Sequence, residues 1–158
     1  MKPFSVTIFP VNMGGSNACR LELEAIFSPP YNAAHYGITL TTSPKQADML
    51  LLFGSATFKA APLINRLLAS LPDDTKLVLL GSESASAAPF KEAYAVVGPV
   101  RDYEESDSES DLERVVLPKG KKITAYIAGS PPDPQTILDG ILQAARGINT
   151  EILPPNQA

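Results

Sequence analysis

The 158-residue sequence is poor in the residues that most chemistry uses. It has one cysteine, one histidine and no tryptophan. A single cysteine excludes an internal disulfide framework and any zinc site built mainly from thiolates. The lone His35 stands in a loop before "YGI", with no nucleophile or metal partner near it in the sequence. It reads as surface polarity, and no Ser-His-Asp set can be assembled around it. Neither a G-x-x-x-x-G-K-[ST] nor a G-x-G-x-x-G stretch occurs. No apolar run approaches the ~20 residues that cross a bilayer. Basic residues are too few for a nucleic-acid face: 13 Lys and Arg stand against 17 Asp and Glu. The opening "MKPFSVTIFPVNMGG" has one Lys and a broken apolar run, so it makes a poor signal peptide. A soluble, cytoplasmic protein is expected, with no transmembrane segment of its own.

What remains reads as one α/β domain spanning 1–158. Its 44% hydrophobic content suffices for a core at this length. Phe4 to Val11 reads as a strand, and Gly37 to Thr41 alternates like one. "DMLLLF" (48–53) and "KLVLL" (76–80) are continuous apolar runs, each closed by glycine, as for strands covered on both faces. Ile123 to Ala128 reads as the last strand. Between them lie three helical patterns. Cys19, Leu23, Ile26 and Phe27 share a face over 18–27, which "SPP" ends. Leu63, Ile64, Leu67, Leu68 and Leu71 form a second stripe, with Pro62 at the helix start. Ile137, Leu138, Ile141, Leu142 and Ala145 form a third, capped by Asp133, begun by Pro134 and stopped by Gly147.

Alternating strands and helices predict a parallel sheet of about four strands with helices on both faces. Ligands of such sheets bind at the carboxyl ends of the strands. The loops 12–18, 54–60, 81–90 and 129–133 should therefore share one rim. "RDYEESDSESDLER" (101–114) carries seven acids and two arginines. It reads as a solvated loop or as an acidic contact for a basic partner, and "PKGKK" (118–122) follows it directly. Residues 101–122 are thus expected to form a surface insertion, and 148–158 a C-terminal tail. Cys19, near a helix N-terminus on an apolar face, reads as a reactive thiol or as a small buried hydrophobe.

Five stretches occur in a telling order: "GGSNACRLELEAI", "SPPYNAAHYGITL", "SPKQADMLLLFG", "AYAVVGPV" and "AGSPPDPQTILDGIL". "YNAAHYGI" resembles Y-D-A-E-R-F-G-I, "SPKQADMLLLFG" resembles S-P-R-H-A-D-I-L-L-V-T-G, and "GSPPDPQTILDGI" resembles G-C-P-P-R-P-E-A-L-I-D-G-L. From about Phe4 to Ala145 the chain resembles the cluster-bearing small subunit shared by respiratory complex I and membrane-bound nickel–iron hydrogenases. The resemblance implies a flavodoxin-like three-layer fold and one four-iron, four-sulfur cluster. That family's ligands are cysteines in G-x-C-N-x-C, in a G-x-C loop after a buried strand, and in G-C-P-P. Carried over by position, they fall on Ser16, Cys19, Glu83 and Ser130. Three of the four are not cysteine.

Iron–sulfur clusters are held by soft thiolates, normally four. The resemblance therefore implies a scaffold without its cluster: a redox-inactive structural subunit with no catalytic residue. An oxygen-rich metal site from Ser16, Glu83 and Ser130 is a less economical alternative. The implied partners are a hydrogenase-like or complex I-like large subunit and a membrane subunit. Its implied place is the cytoplasmic face of the inner membrane, held there through those partners. Glu22 matches an acidic interface or coupling position of the family, and also reads as an ordinary exposed helix acid. A competing reading is a free-standing flavodoxin-like binder that holds a phosphate-containing ligand at the 12–19 loop, where a helix N-terminus favours anions.

Overall fold

A computed structural model describes residues 4–15, 17–87, 93–103, 113–147 and 151–152. The main elements are β1 (Val6–Asn12), α1 (Ala18–Ala25), β2 (Ile38–Leu40), β3 (Met49–Phe53), β4 (Ala56–Thr57) and α2 (Ala61–Ala69). They continue as β5 (Lys76–Leu80), α3 (Ser82–Ser86), β6 (Val96–Gly98), β7 (Ile123–Ile127), α4 (Pro134–Ala145) and β8 (Glu151–Ile152).

The main sheet is parallel throughout, in the order β2-β1-β3-β5-β7-β8. Its four longest strands, β1, β3, β5 and β7, fill the centre, and the three-residue β2 and two-residue β8 close the edges. The expected count of about four thus becomes six: β2 lies within the alternating stretch 37–41, and the two-residue β8 is too short to leave a periodic signal. Register matters for the site. Asn12 pairs with Phe53, Phe53 with Leu80, and Leu80 with Ile127, so the four central strands end at one level. The loops that follow them start side by side.

Each face of the sheet has its own core. Met49, Leu51 and Phe53 of β3 point to one side, with Cys19 and Leu23 of α1, Ile26 just after it, and Ile137, Leu138 and Ile141 of α4. Leu50 and Leu52 point to the other, with Ile64 and Leu68 of α2. That division explains why "MLLLF" is apolar at every position and buried at every position. Asp133 caps α4 by accepting a 2.8 Å bond from the Thr136 amide.

Four expectations need revision. The first helix stops at Ala25 rather than Phe27, where i→i+3 bonds from Ile26 to Leu23 and Phe27 to Glu24 tighten its last turn. Leu63, placed in the α2 stripe, is 64% exposed, because the buried arc of this short helix is filled by Ile64, Leu68 and Leu71. The 81–90 loop opens with the short helix α3. Finally, the 101–122 insertion is not wholly superficial. Val115 and Leu117 are buried, and Arg101 bonds across to the backbone of both. Asn65 on α2 fixes this segment, donating to the Arg114 carbonyl (2.7 Å) and accepting from the Val116 amide (3.0 Å). The acidic stretch 104–112 and most of the 148–158 tail lie outside the described residues.

Candidate functional site

The sheet order reverses between β1 and β3. The chain leaves β1 for α1 on one face and β3 for α2 on the other. A crevice at such a switch point is where open α/β sheets bind ligands. Here that crevice is packed with backbone. Asn12, the last residue of β1, turns its Oδ1 onto the amides of Gly14 (3.0 Å) and Gly15 (3.1 Å). A Cβ on Gly15 would stand 2.6 Å from Gly54 Cα and 2.6 Å from Glu83 Oε2. Glycine is therefore required by close approach of the β1, β3 and β5 loops. Ser55 follows Gly54 into this contact, buried, with no hydrogen-bond partner for its Oγ among the described residues.

The β5 and β7 loops meet beside it. Gly81 has φ 84° and ψ 155°, a conformation almost confined to glycine. A Cβ there would lie 2.8 Å from Cys19 Sγ and 3.4 Å from the Gly129 carbonyl. The Ser82 amide and hydroxyl both donate to Gly129 O, at 2.8 and 3.2 Å. The β7 loop then turns through a cis Ser130–Pro131 bond.

Three of the four positions carried over from the resemblance, Cys19, Glu83 and Ser130, sit on one rim, in unequal states. Cys19 is 5% exposed and belongs to the core under α1. Its thiol is pushed up to about 11 from an ordinary 9.0, by burial first and then by the Glu83 and Glu22 carboxylates. At neutral pH it is a protonated core residue, unlike the low-pKa thiols of reactive sites. Glu83, in the first turn of α3, is half-buried against Gly15. Ser130 is exposed beside Gly129, and Ser16 lies outside the described residues. Glu22 is half-buried on α1, near enough to Cys19 to act on its charge. His35 lies apart, exposed in a 3-10 turn (Ala33–Tyr36) and edge-on to Tyr36.

These donors do not fit a four-iron, four-sulfur cluster. The chain supplies one thiol, buried and held protonated, where a cluster takes four thiolates. A carboxylate and serine hydroxyls are hard oxygen donors, poorly matched to iron in sulfide. Among the described residues, no three His, Cys, Asp or Glu side chains gather as a metal site. The 12–19 loop is also poorly set for phosphate. Asn12 already takes two of its amides, and the Glu83 carboxylate lies against Gly15.

Sequence reading missed Asn12 and Ser55. The signal for Asn12 was present, since an Asx residue just before a Gly-Gly pair folds its side chain onto the next amides. Nothing local marks Ser55, whose burial depends on the approach of Gly15 from another loop.

No helix among the described residues is long and apolar enough to cross a membrane. Comparison with known proteins bears on the family and the fold. Residues 17–144 match the family described as NADH ubiquinone oxidoreductase, 20 kDa subunit. The chain is 31% identical over 152 residues to an NADH-quinone oxidoreductase subunit of Bacteroides thetaiotaomicron, covering 89% of this chain and 68% of that protein. It is 27% identical over 151 residues to a membrane-bound hydrogenase subunit of Pyrococcus furiosus, described as probable, covering 93% and 80%. It spans about two thirds of the length of the NADH-quinone oxidoreductase subunits it matches. In structure it resembles a chain of the membrane-bound sulfane sulfur reductase, an archaeal respiratory membrane complex (TM-score 0.66, 22% identity, 94% and 72% covered). It also resembles a chain of an NAD+-reducing nickel–iron hydrogenase (TM-score 0.62, 14% identity, 98% of each covered). The chain belongs to the NADH ubiquinone oxidoreductase 20 kDa subunit family.

Proposed function

We propose that this chain is a redox-inactive structural subunit, bridging a hydrogenase-like or complex I-like large subunit and a membrane subunit. The observation that carries the reading is the donor set at the rim. The three-layer frame is present and its loops pack through close glycine contacts, while the positions that would ligate a cluster hold Cys19 as a protonated core thiol, Glu83 and Ser130. An electron relay without its metal transfers nothing, which leaves docking as the role of the frame. The relatives' names support partner subunits: they are parts of NADH-quinone oxidoreductase and membrane-bound hydrogenase assemblies. In this reading the chain sits on the cytoplasmic face of the inner membrane, held there by those partners.

Affinity isolation of the tagged chain from solubilised membranes of its own host tests the bridging role. Both a large subunit and an integral membrane subunit should come with it in fixed ratio. Recovery of the chain alone from the soluble fraction would overturn the proposal.

A further inference from the structure

The partner's docking mode can be argued from one sheet edge, and this inference rests on the subunit reading above. Among the described residues, strand β2 pairs only with β1. The Val6 amide donates to Gly37 O, and the Thr41 amide donates to Ile8 O. Backbone direction alternates along a strand, so residues 37, 39 and 41 turn their polar groups toward β1. Ile38 and Leu40 turn theirs outward, and no described residue bonds the amide or carbonyl of either.

Protein sheets usually guard such an edge with charge or proline. Here the seven residues "GITLTTS" (37–43) contain neither. The side chains add a second feature. Ile38 and Leu40 share a face. Ile38 is fully buried, whereas Leu40 is 53% exposed, beyond the cover of the eight-residue α1. Leu40 lines a groove of about 200 Å³ with Pro10, Leu23, Phe27 and Phe53. The charges at its rim, Arg20 and Glu24, neutralise each other in an ion pair. The Asp48 carboxylate, just before β3 and so one strand further in, is taken by the Thr7 amide of β1. An uncharged edge above a neutral apolar groove matches an uncharged, apolar segment and rejects a charged one.

We infer that β2 is a docking edge. A partner subunit adds an extended, uncharged segment to the outward groups of Ile38 and Leu40 and seats an apolar side chain against Leu40 in the adjoining groove. This is strand addition, in which main-chain bonds give affinity and the pocket gives selectivity.

The test is hydrogen exchange on the isolated chain and on the purified assembly, with two variants. In the assembly the Ile38 and Leu40 amides should exchange at least tenfold more slowly than in the isolated chain. The Thr39 amide, already turned to β1, should be protected in both. Leu40→Lys should reduce recovery of partner subunits at least tenfold without changing the melting temperature of the isolated chain. Thr39→Lys, the same charge on the opposite face, should leave recovery unchanged. Unchanged exchange at Ile38 and Leu40 on assembly, or full assembly of Leu40→Lys, would overturn the inference and leave the subunit reading intact. Protection of both amides in an isolated dimer would assign the edge to a second copy, overturning the partner. A wild-type chain that isolates with no partner subunit would overturn the subunit reading itself.

Discussion

Gly81→Ala is the sharpest probe of the rim. The backbone at Gly81 has φ 84° and ψ 155°, and a residue with a Cβ forced into that region costs about 1–3 kcal/mol. The added Cβ would also stand 2.8 Å from Cys19 Sγ, closer than carbon and sulfur tolerate. Overpacking of this kind adds about 1–3 kcal/mol. The sum centres near 4 kcal/mol, a large share of the ~5–15 kcal/mol that holds a domain together. For a chain of this size that corresponds to a melting temperature lowered by about 8–16 °C. Urea unfolding of four proteins separates the two causes: wild type, Gly81→Ala, Cys19→Ala and the double variant. Removing Sγ relieves the clash and leaves the backbone strain. The double variant should therefore be about 1–3 kcal/mol more stable than the two single effects predict. Additivity within about 0.5 kcal/mol would refute the claim that Cys19 packs on Gly81.

Three further outcomes follow from the same contacts. With its thiol pushed up to about 11, folded Cys19 should alkylate at pH 8 about a hundredfold more slowly than the unfolded chain, by ionisation alone. A folded-state rate that matches the unfolded one would contradict this. Because the folded thiol holds its proton above the ordinary 9.0, Cys19 withdraws stability as pH rises from about 9 to about 11. That loss should appear as a difference between wild type and Cys19→Ala in urea midpoints over this range, and should be absent below pH 8. Asp133→Ala, which removes the 2.8 Å cap on the Thr136 amide, should lower stability by about 1 kcal/mol in the same assay.

The contrast between what sequence reveals and what it hides is physical. Strands β3 and β5 were legible because both faces are covered, which leaves an unbroken apolar run closed by a glycine of positive φ. Helix α4 was legible because its cap and its proline are local. Strands β4 and β6 were not, since Ala56–Thr57 and Val96–Gly98 form a ladder only through each other, about forty residues apart. The burial of Val115 and Leu117 was hidden for the same reason: it depends on Asn65, far away on α2. At the site, the rim and its four loops could be read from strand ends. The packing of Cys19 on Gly81 and of Glu83 on Gly15 could not, because each contact joins loops distant in sequence. Absence was the most informative feature of all. One cysteine in a frame of this family bounds the metal chemistry before any coordinate is known.

On the structural-subunit proposal, the frame carries no cluster. The direct measurement is iron and acid-labile sulfide in the full chain, produced anaerobically with iron and sulfide supplied. Colourless protein with far less than one iron and one sulfide per chain is expected. About four of each, the content of a full cubane, would contradict it.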